Sequence, residues 1–334
     1  MVLGALAAGG LAYWGKLQFD KPGAHSRPAI FVVERNSNLR DISLRLHTEG
    51  LISDERVFHI AVRANGKADE LKAGEYEIPA GATMRDVMDI IVSGRSVQYA
   101  VTIPEGLTVQ QAMARIAENP ALTGDMPSSM PVEGALLADT YSFPRGTARA
   151  DVVARLSELQ TKLVNDIWAT RAADLPISTV EEFVTLASIV EKETALAEER
   201  PRVAAVFINR LRQGIRLQSD PTIIYGIFGG AGKPADRPIY KSDIEKPTAY
   251  NTYTIDGLPP TPIAIPGRAS LEAVARPIES RDLFFVADGT GGHVFAETYD
   301  EHNANVKKWR QIEAEREKAA EEAAKKAAPG QQNN

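Results

Sequence analysis

The chain has 334 residues, a net charge of −6, 44% apolar and 25% charged residues, and no cysteine. These figures describe a globular protein of two or three domains with enough apolar side chains to bury sizeable cores. They exclude disulfides, thiol catalysis and cysteine-ligated metals. An acidic balance without a basic cluster argues against nucleic acid as a partner.

Met1 to Trp14 is almost wholly apolar or small, and Lys16 interrupts the run. A full membrane span needs about 20 apolar residues, so residues 1–19 read as a single transmembrane anchor in truncated form. Tyr13 and Trp14 would suit the membrane interface. A buried N-terminal helix is the alternative. Residues 20–28 hold Lys, Pro, Gly, Ser and Arg and read as a linker.

A strand–turn–helix plan then recurs across residues 29–117. Ile78-Pro-Ala-Gly81-Ala-Thr83-Met-Arg-Asp-Val87 parallels Ile103-Pro-Glu-Gly106-Leu-Thr108-Val-Gln-Gln-Ala112, and Val33-Glu-Arg-Asn-Ser37-Asn-Leu-Arg-Asp-Ile42 follows the same order. Each unit is a β-rich run, a Gly or Asn turn, and a helix opened by Ser or Thr. Thr83 and Thr108 are the expected N-caps, because a hydroxyl there satisfies orphan helix N–H groups. Strands alternating with short helices predict α+β units. The wording resembles a LysM module, most clearly over residues 71–97, which implies binding of glycans rich in N-acetylglucosamine. A generic α+β spacer is the other reading.

Residues 118–131 are rich in Pro, Gly and Ser and connect this region to the next, taken as residues 118–305. Asp151 to Ala173 has a helical pattern. Val180 to Leu211 is a long helical region in which Pro201 starts a second helix. The chain is then loop-rich and aromatic as far as Gly267. Leu283 to Ala287 predicts a strand, Gly289 to Gly292 a turn, and His293-Val-Phe-Ala the second strand of a hairpin. From Val306 the tail is Glu, Lys and Ala with no evident apolar face. Residues 306–334 read as a charged, disordered tail, a solvated helix at its start that dissolves into Pro329 to Asn334.

The candidate chemistry centres on the helix around Val184-Thr-Leu-Ala-Ser-Ile-Val-Glu-Lys-Glu-Thr194. Phe183, Leu186, Ala187 and Val190 form one apolar stripe at helical spacing. Glu193 and Glu191 lie roughly 70° and roughly 90° from its centre, on opposite flanks. A carboxyl beside an apolar wall is partly desolvated and can hold a proton near neutral pH, as a general acid must. The pattern equally describes two boundary acids on an ordinary amphipathic helix. Downstream, Asn209, Gln218, Asp220, Tyr225, Tyr250 and Asn251 place amides, hydroxyls and rings on Pro-stiffened loops, which suits sugar binding. Any single Tyr could instead be a core ring with a satisfied hydroxyl. The five His are scattered without metal-ligand spacing, and there is neither a Gly-x-Ser-x-Gly elbow nor a phosphate-binding loop.

Five motifs in order resemble those of the endolytic murein transglycosylase, or YceG-like, family. They are Ala187-Ser-Ile-Val-Glu-Lys-Glu-Thr194, Phe207-Ile-Asn-Arg-Leu211, Leu217-Gln-Ser-Asp-Pro-Thr222 with Tyr225-Gly226, Tyr250-Asn-Thr-Tyr253, and Gly291-Gly-His-Val-Phe295. The resemblance implies an enzyme of the bacterial inner membrane, facing the periplasm. Such an enzyme cuts peptidoglycan glycan strands internally between N-acetylmuramic acid and N-acetylglucosamine, leaves 1,6-anhydro ends and so terminates glycan polymerisation. It implies partnership with peptidoglycan synthases of the penicillin-binding class, and neither a cofactor nor a metal. The family's catalytic acid matches Glu193, with Glu191 the runner-up and able instead to anchor a neighbouring loop. The chain departs from the family pattern at Ala138, Thr261 and Ile265. Two other readings stay open: a hydrolase using water and a second carboxyl such as Asp220, and a glycan-binding scaffold without activity.

Overall fold

A computed structural model describes residues 2–34 and 36–327. It is mixed α+β, and the chain divides into two compact units. The first comprises residues 1–101, 120–123 and 141–148. The second comprises residues 102–119, 124–140 and 149–334.

The first unit opens with α1 (Val2–Phe19). Among the described residues no helix is long and apolar enough to cross a membrane. Where burial is described in α1, Leu11, Tyr13, Trp14 and Leu17 are exposed, unlike a buried helix, and Phe19 is sunk in the core against Phe58. Residues 20–28 form no element yet are pinned. Gly23 donates to the Gly81 carbonyl, Gly81 donates to that of His25, and Arg85 bonds Asp20. A side chain at Gly23 would lie 2.5 Å from the Ala82 carbonyl oxygen, so glycine is required by close approach.

Next come β1 (Ala29–Val33), α2 (Leu39–Thr48), α3 (Glu55–Ala64), β2 (Gly74–Ile78) and α4 (Met84–Ser93). β1 and β2 pair antiparallel with Phe31 opposite Tyr76. Both rings are fully buried with Leu46, Val87 and Ile91. Thr83 caps α4 in a reciprocal capping box with Asp86, as expected. In the first repeat the cap is Asn38, not a hydroxyl residue, its side chain accepting from the Asp41 N–H. β3 (Gln98–Thr102) pairs with β5 (Thr140–Pro144), and β4 (Leu122–Thr123) lies parallel to β6 (Thr147–Ala148).

The second unit holds α5 (Val109–Glu118), α6 (Arg149–Trp168), α7 (Val180–Glu193), α8 (Arg200–Arg212), α9 (Asp220–Phe228), α10 (Lys241–Glu245) and α11 (Arg268–Ala275). The third repeat helix, α5, belongs here, with Thr108 and Gln111 forming its capping box. Pro201 lies in the first turn of α8, where its missing N–H costs nothing. The predicted hairpin forms as β7 (Phe284–Ala287) and β8 (His293–Ala296), with Phe285 opposite Phe295. α12 (Tyr299–Ala327) follows.

Two sequence expectations need correcting in this unit. The helix carrying the acids is not apolar on one face only. Thr185 to Val190 are all buried, because α6, α8 and α11 pack around it. The tail is not without an apolar side. His302, Val306, Trp309 and Ile312 form a part-buried stripe at helical spacing. Trp309 and Ile312 lie against Gly289, whose carbonyl accepts from Arg316. The boundary expected at residue 305 therefore falls inside a continuous helix, and residues 306–327 of the expected disordered tail are helical because this stripe packs; residues 328–334 lie outside the described residues.

Candidate active site

Thr179 starts α7 with a capping box to Glu182, and the helix ends at Glu193. Two residues on a helix turn through about 200°, so Glu191 and Glu193 leave the same buried rod in nearly opposite directions. Glu191 points into a set of donors. Arg200 Nη2 is 3.3 Å from its Oε1, and its Oε2 accepts from the Gly267 N–H at 3.0 Å and the Ser270 hydroxyl at 2.7 Å. Its side chain is 5% exposed. It thus ties α7 to the starts of α8 and α11.

Among the described residues the Glu193 carboxylate has one hydrogen-bond partner, the Ser219 hydroxyl, which donates to Oε1 at 2.5 Å. Burial pushes its pKa up to about 7. The Ser219 hydrogen bond opposes the rise, the Asp220 charge adds to it, and His293 and Arg210 pull it back. The carboxyl is therefore half protonated near neutrality, able to give a proton and take one back.

Glu193 opens into a cleft of about 490 Å³. One side is polar, formed by Arg210, Gln218, Asp220 and Tyr253. The other is the inner surface of the hairpin and α12, with Phe284, Phe285, Tyr299 and His302. Arg210 stitches the two sides together: Nε donates to the Leu283 carbonyl at 2.6 Å, and Nη1 to the Leu217 carbonyl at 2.9 Å and Gln218 Oε1 at 3.2 Å. Gln218 has φ +53°, left-handed backbone rarely adopted by a side-chain-bearing residue. That turn brings Ser219 under Glu193 and starts α9 at Asp220. The loop is zipped to residues 250–254. Ser219 N–H donates to Thr252 Oγ1 at 2.9 Å, and the Tyr253 hydroxyl donates to Asp220 Oδ1 at 2.7 Å. Burial first, then the neighbouring Asp220, raises the Tyr253 pKa, so the phenol keeps its proton.

Of the residues singled out from sequence, Glu193, Gln218 and Asp220 line this cleft. Asn209 and Asn251 do not, and their amides are spent on backbone. Asn209 Nδ2 donates to the Ser280 and Asp282 carbonyls at 2.8 and 3.1 Å. Asn251 is wholly buried; Nδ2 donates to the Ile244 and Lys246 carbonyls, and Oδ1 accepts from the Tyr253 N–H. Tyr225 and Tyr250 sit together outside the cleft, ring centroids 4.9 Å apart. The Tyr225 hydroxyl donates to Glu133 at 3.1 Å, and that of Tyr250 bonds Thr261 at 2.7 Å. Two of the departures from the family pattern are integrated: besides Thr261, the Ile265 N–H bonds the Leu107 carbonyl at 2.7 Å. Ser219, Arg210 and Tyr253 stand in the motifs quoted from the sequence but were not singled out as site residues, and the hairpin was not read as a cleft wall. Ser219 carries a further local signal, a hydroxyl placed just before a Pro-started helix.

An α+β unit that presents a half-buried carboxyl with a raised pKa to a cleft lined by polar groups and aromatic rings has the parts of an acid–base site. The YceG-like family model matches residues 31–308, and the chain belongs to that family. It is 28% identical over 335 residues to an endolytic murein transglycosylase of Bacillus subtilis, with 91% of each chain covered. It is 28% identical over 329 residues to one of Streptococcus pneumoniae, covering 85% of this chain and 59% of that one. The crystal structure of a yceG-like protein from Listeria monocytogenes is similar with a TM-score of 0.52 at 27% identity, covering 83% of this chain and 98% of the other.

Proposed function

We propose that this protein is a lytic transglycosylase that cleaves peptidoglycan glycan strands internally, at the β-1,4 bond between N-acetylmuramic acid and N-acetylglucosamine. The observation that carries the reading is Glu193: a single carboxyl whose burial raises its pKa to about 7, open to a cleft. The names of the similar B. subtilis and S. pneumoniae proteins support the substrate.

In this mechanism protonated Glu193 donates to the glycosidic oxygen as the bond from that oxygen to C1 breaks. The muramic acid acetamido group, or the field of the site, stabilises the charge left at C1. Glu193, now a carboxylate held by Ser219, takes the proton from the C6 hydroxyl of the same sugar. O6 closes on C1, leaving a 1,6-anhydro end and regenerating the acid. One carboxyl does both jobs, unlike the paired acids of ordinary glycosidases. Gln218, Asp220 and Tyr253 hold sugar polar groups, and the hairpin rings take apolar sugar faces.

The same reading gives the first unit a LysM-like, glycan-holding role, supported by the strand–helix–helix–strand order of residues 29–78. It also sets the enzyme at the periplasmic face of the inner membrane, with α1 as part of an anchor, where peptidoglycan synthases of the penicillin-binding class would be its partners. A hydrolase is the second reading, favoured by one observation: Asp220 lines the same cleft as Glu193 and could direct water. Mass spectrometry of products from uncrosslinked glycan strands decides. Internal fragments ending in 1,6-anhydro-muramic acid, lost in Glu193→Gln, are expected. Reducing ends would identify a hydrolase, and intact strands with retained binding a scaffold.

A further inference from the structure

The segment Gly291-Gly-His-Val-Phe295 has no part in the reaction above, yet it makes a two-point polar contact close to the end of α7. The Glu199 carboxylate takes two hydrogen bonds from one residue: Oε1 from the His293 backbone N–H and Oε2 from imidazole Nδ1, each at 2.7 Å. Both side chains are largely buried, at 15% and 16% exposure. Gly292 permits this approach, since a side chain there would lie 2.7 Å from Glu199 Oε1. Thr194, buried and next in sequence to Glu193, donates to the same Oε2 at 3.3 Å and accepts from the Leu196 N–H at 3.1 Å. On its other side the His293 ring meets Phe285, a cleft residue, edge-on at 5.2 Å between centroids.

We propose that Glu199 and His293 form a positioning clamp that locks the aromatic wall of the cleft to the residue following Glu193, and so fixes the acid relative to the substrate. The clamp's catalytic consequence rests on the transglycosylase reading; the clamp itself does not. Neither residue touches the reacting atoms. Apart from the His293 charge, which lowers the Glu193 pKa, their effect is geometric: Glu199 gathers the end of α7, the start of α8 and the start of β8 at one carboxylate. Displacement of a catalytic group by about 1 Å lowers turnover roughly a hundredfold.

Three variants of the full chain test this. In His293→Ala, kcat should fall about 10- to 100-fold with KM changed less than about threefold, because positioning and not substrate affinity is lost. His293→Asn, whose amide can present an N–H where Nδ1 stands, should recover at least about half of that loss on a logarithmic scale. Amide hydrogen exchange needs no substrate. Residues 194–199 and 284–296 should both exchange at least about tenfold faster in His293→Ala and slow again in His293→Asn. If His293→Ala does not fold, Glu199→Gln, which keeps one acceptor and loses the other, carries the same expectations for kcat and exchange. Unchanged exchange in the two segments would overturn the clamp. So would a loss in KM alone, or a kcat that Asn does not restore. Wild-type protein inactive on glycan would remove the transglycosylase reading, while the exchange result would still decide the clamp.

Discussion

Glu191 and Glu193 are separated by one residue on one helix, and their surroundings differ in almost every respect. Glu191 accepts from a guanidinium, a backbone N–H and a hydroxyl, and does not line the cleft that Glu193 faces. Glu193 accepts from one hydroxyl and faces a cavity with an aromatic wall. Donors all round make Glu191 a tie between helices, whereas burial with a single donor pushes the Glu193 pKa up to about 7. Donor supply, not identity or spacing, separates the two roles.

The largest test of that contrast is activity. Glu193→Gln should lower kcat about 1,000-fold, within the range for loss of a general acid, with KM little changed. Glu191→Gln should keep most turnover and lose stability instead. Comparable kcat losses in two equally stable variants would break the distinction.

Stability against pH should separate them again. The Glu193 pKa rises from 4.5 unfolded to about 7 folded, so the native state binds more protons and stability falls as pH rises between those values. The cost is absent below 4.5 and complete above about 7, where it reaches about 3 kcal/mol at roughly 1.4 kcal/mol per unit. Glu193→Gln removes it. Thermal unfolding should show the variant more stable than wild type at pH 8 and equal to it at pH 4. Glu191→Gln should lose about 1–3 kcal/mol through its unsatisfied donors, read by urea denaturation at pH 7.

Smaller effects sharpen the picture. Asn251→Ala should cost about 1–3 kcal/mol by leaving the Ile244 and Lys246 carbonyls and the Tyr253 N–H without their partner, with KM per folded molecule unchanged, since the amide serves the loop and not the substrate. The alkaline fall in kcat/KM should shift to lower pH in Asp220→Asn, which removes a charge that raises the Glu193 pKa. It should shift to higher pH in Ser219→Ala, which removes the bond that lowers it.

Much of the scaffold was legible in the sequence because it is local. Hydroxyl caps at Thr83 and Thr108, the Pro201 helix start and the Gly-rich hairpin turn all depend on neighbours within a few residues. The stripe on α7 was legible too, but not its burial on every side, which depends on helices distant in sequence. The same limit explains the amides. Asn209 and Asn251 have the chemistry of sugar contacts, and only the fold decides that backbone carbonyls reach them first. Ser219, 26 residues from Glu193, becomes its partner only through the left-handed turn at Gln218. In the tail, Trp309 and Ile312 formed too sparse a stripe among Glu, Lys and Ala to read as a packed face.

The central claim is that Glu193 holds its proton near neutral pH because burial outweighs its one hydrogen bond. Carbon-13 NMR titration of the glutamate carboxyls, with Glu193 assigned by comparison with Glu193→Gln, measures this directly. A midpoint near 7 for the signal missing in the variant is the predicted result. A midpoint near 4.5, the ordinary glutamate value, would contradict the account and leave Glu193 without the proton its proposed chemistry requires.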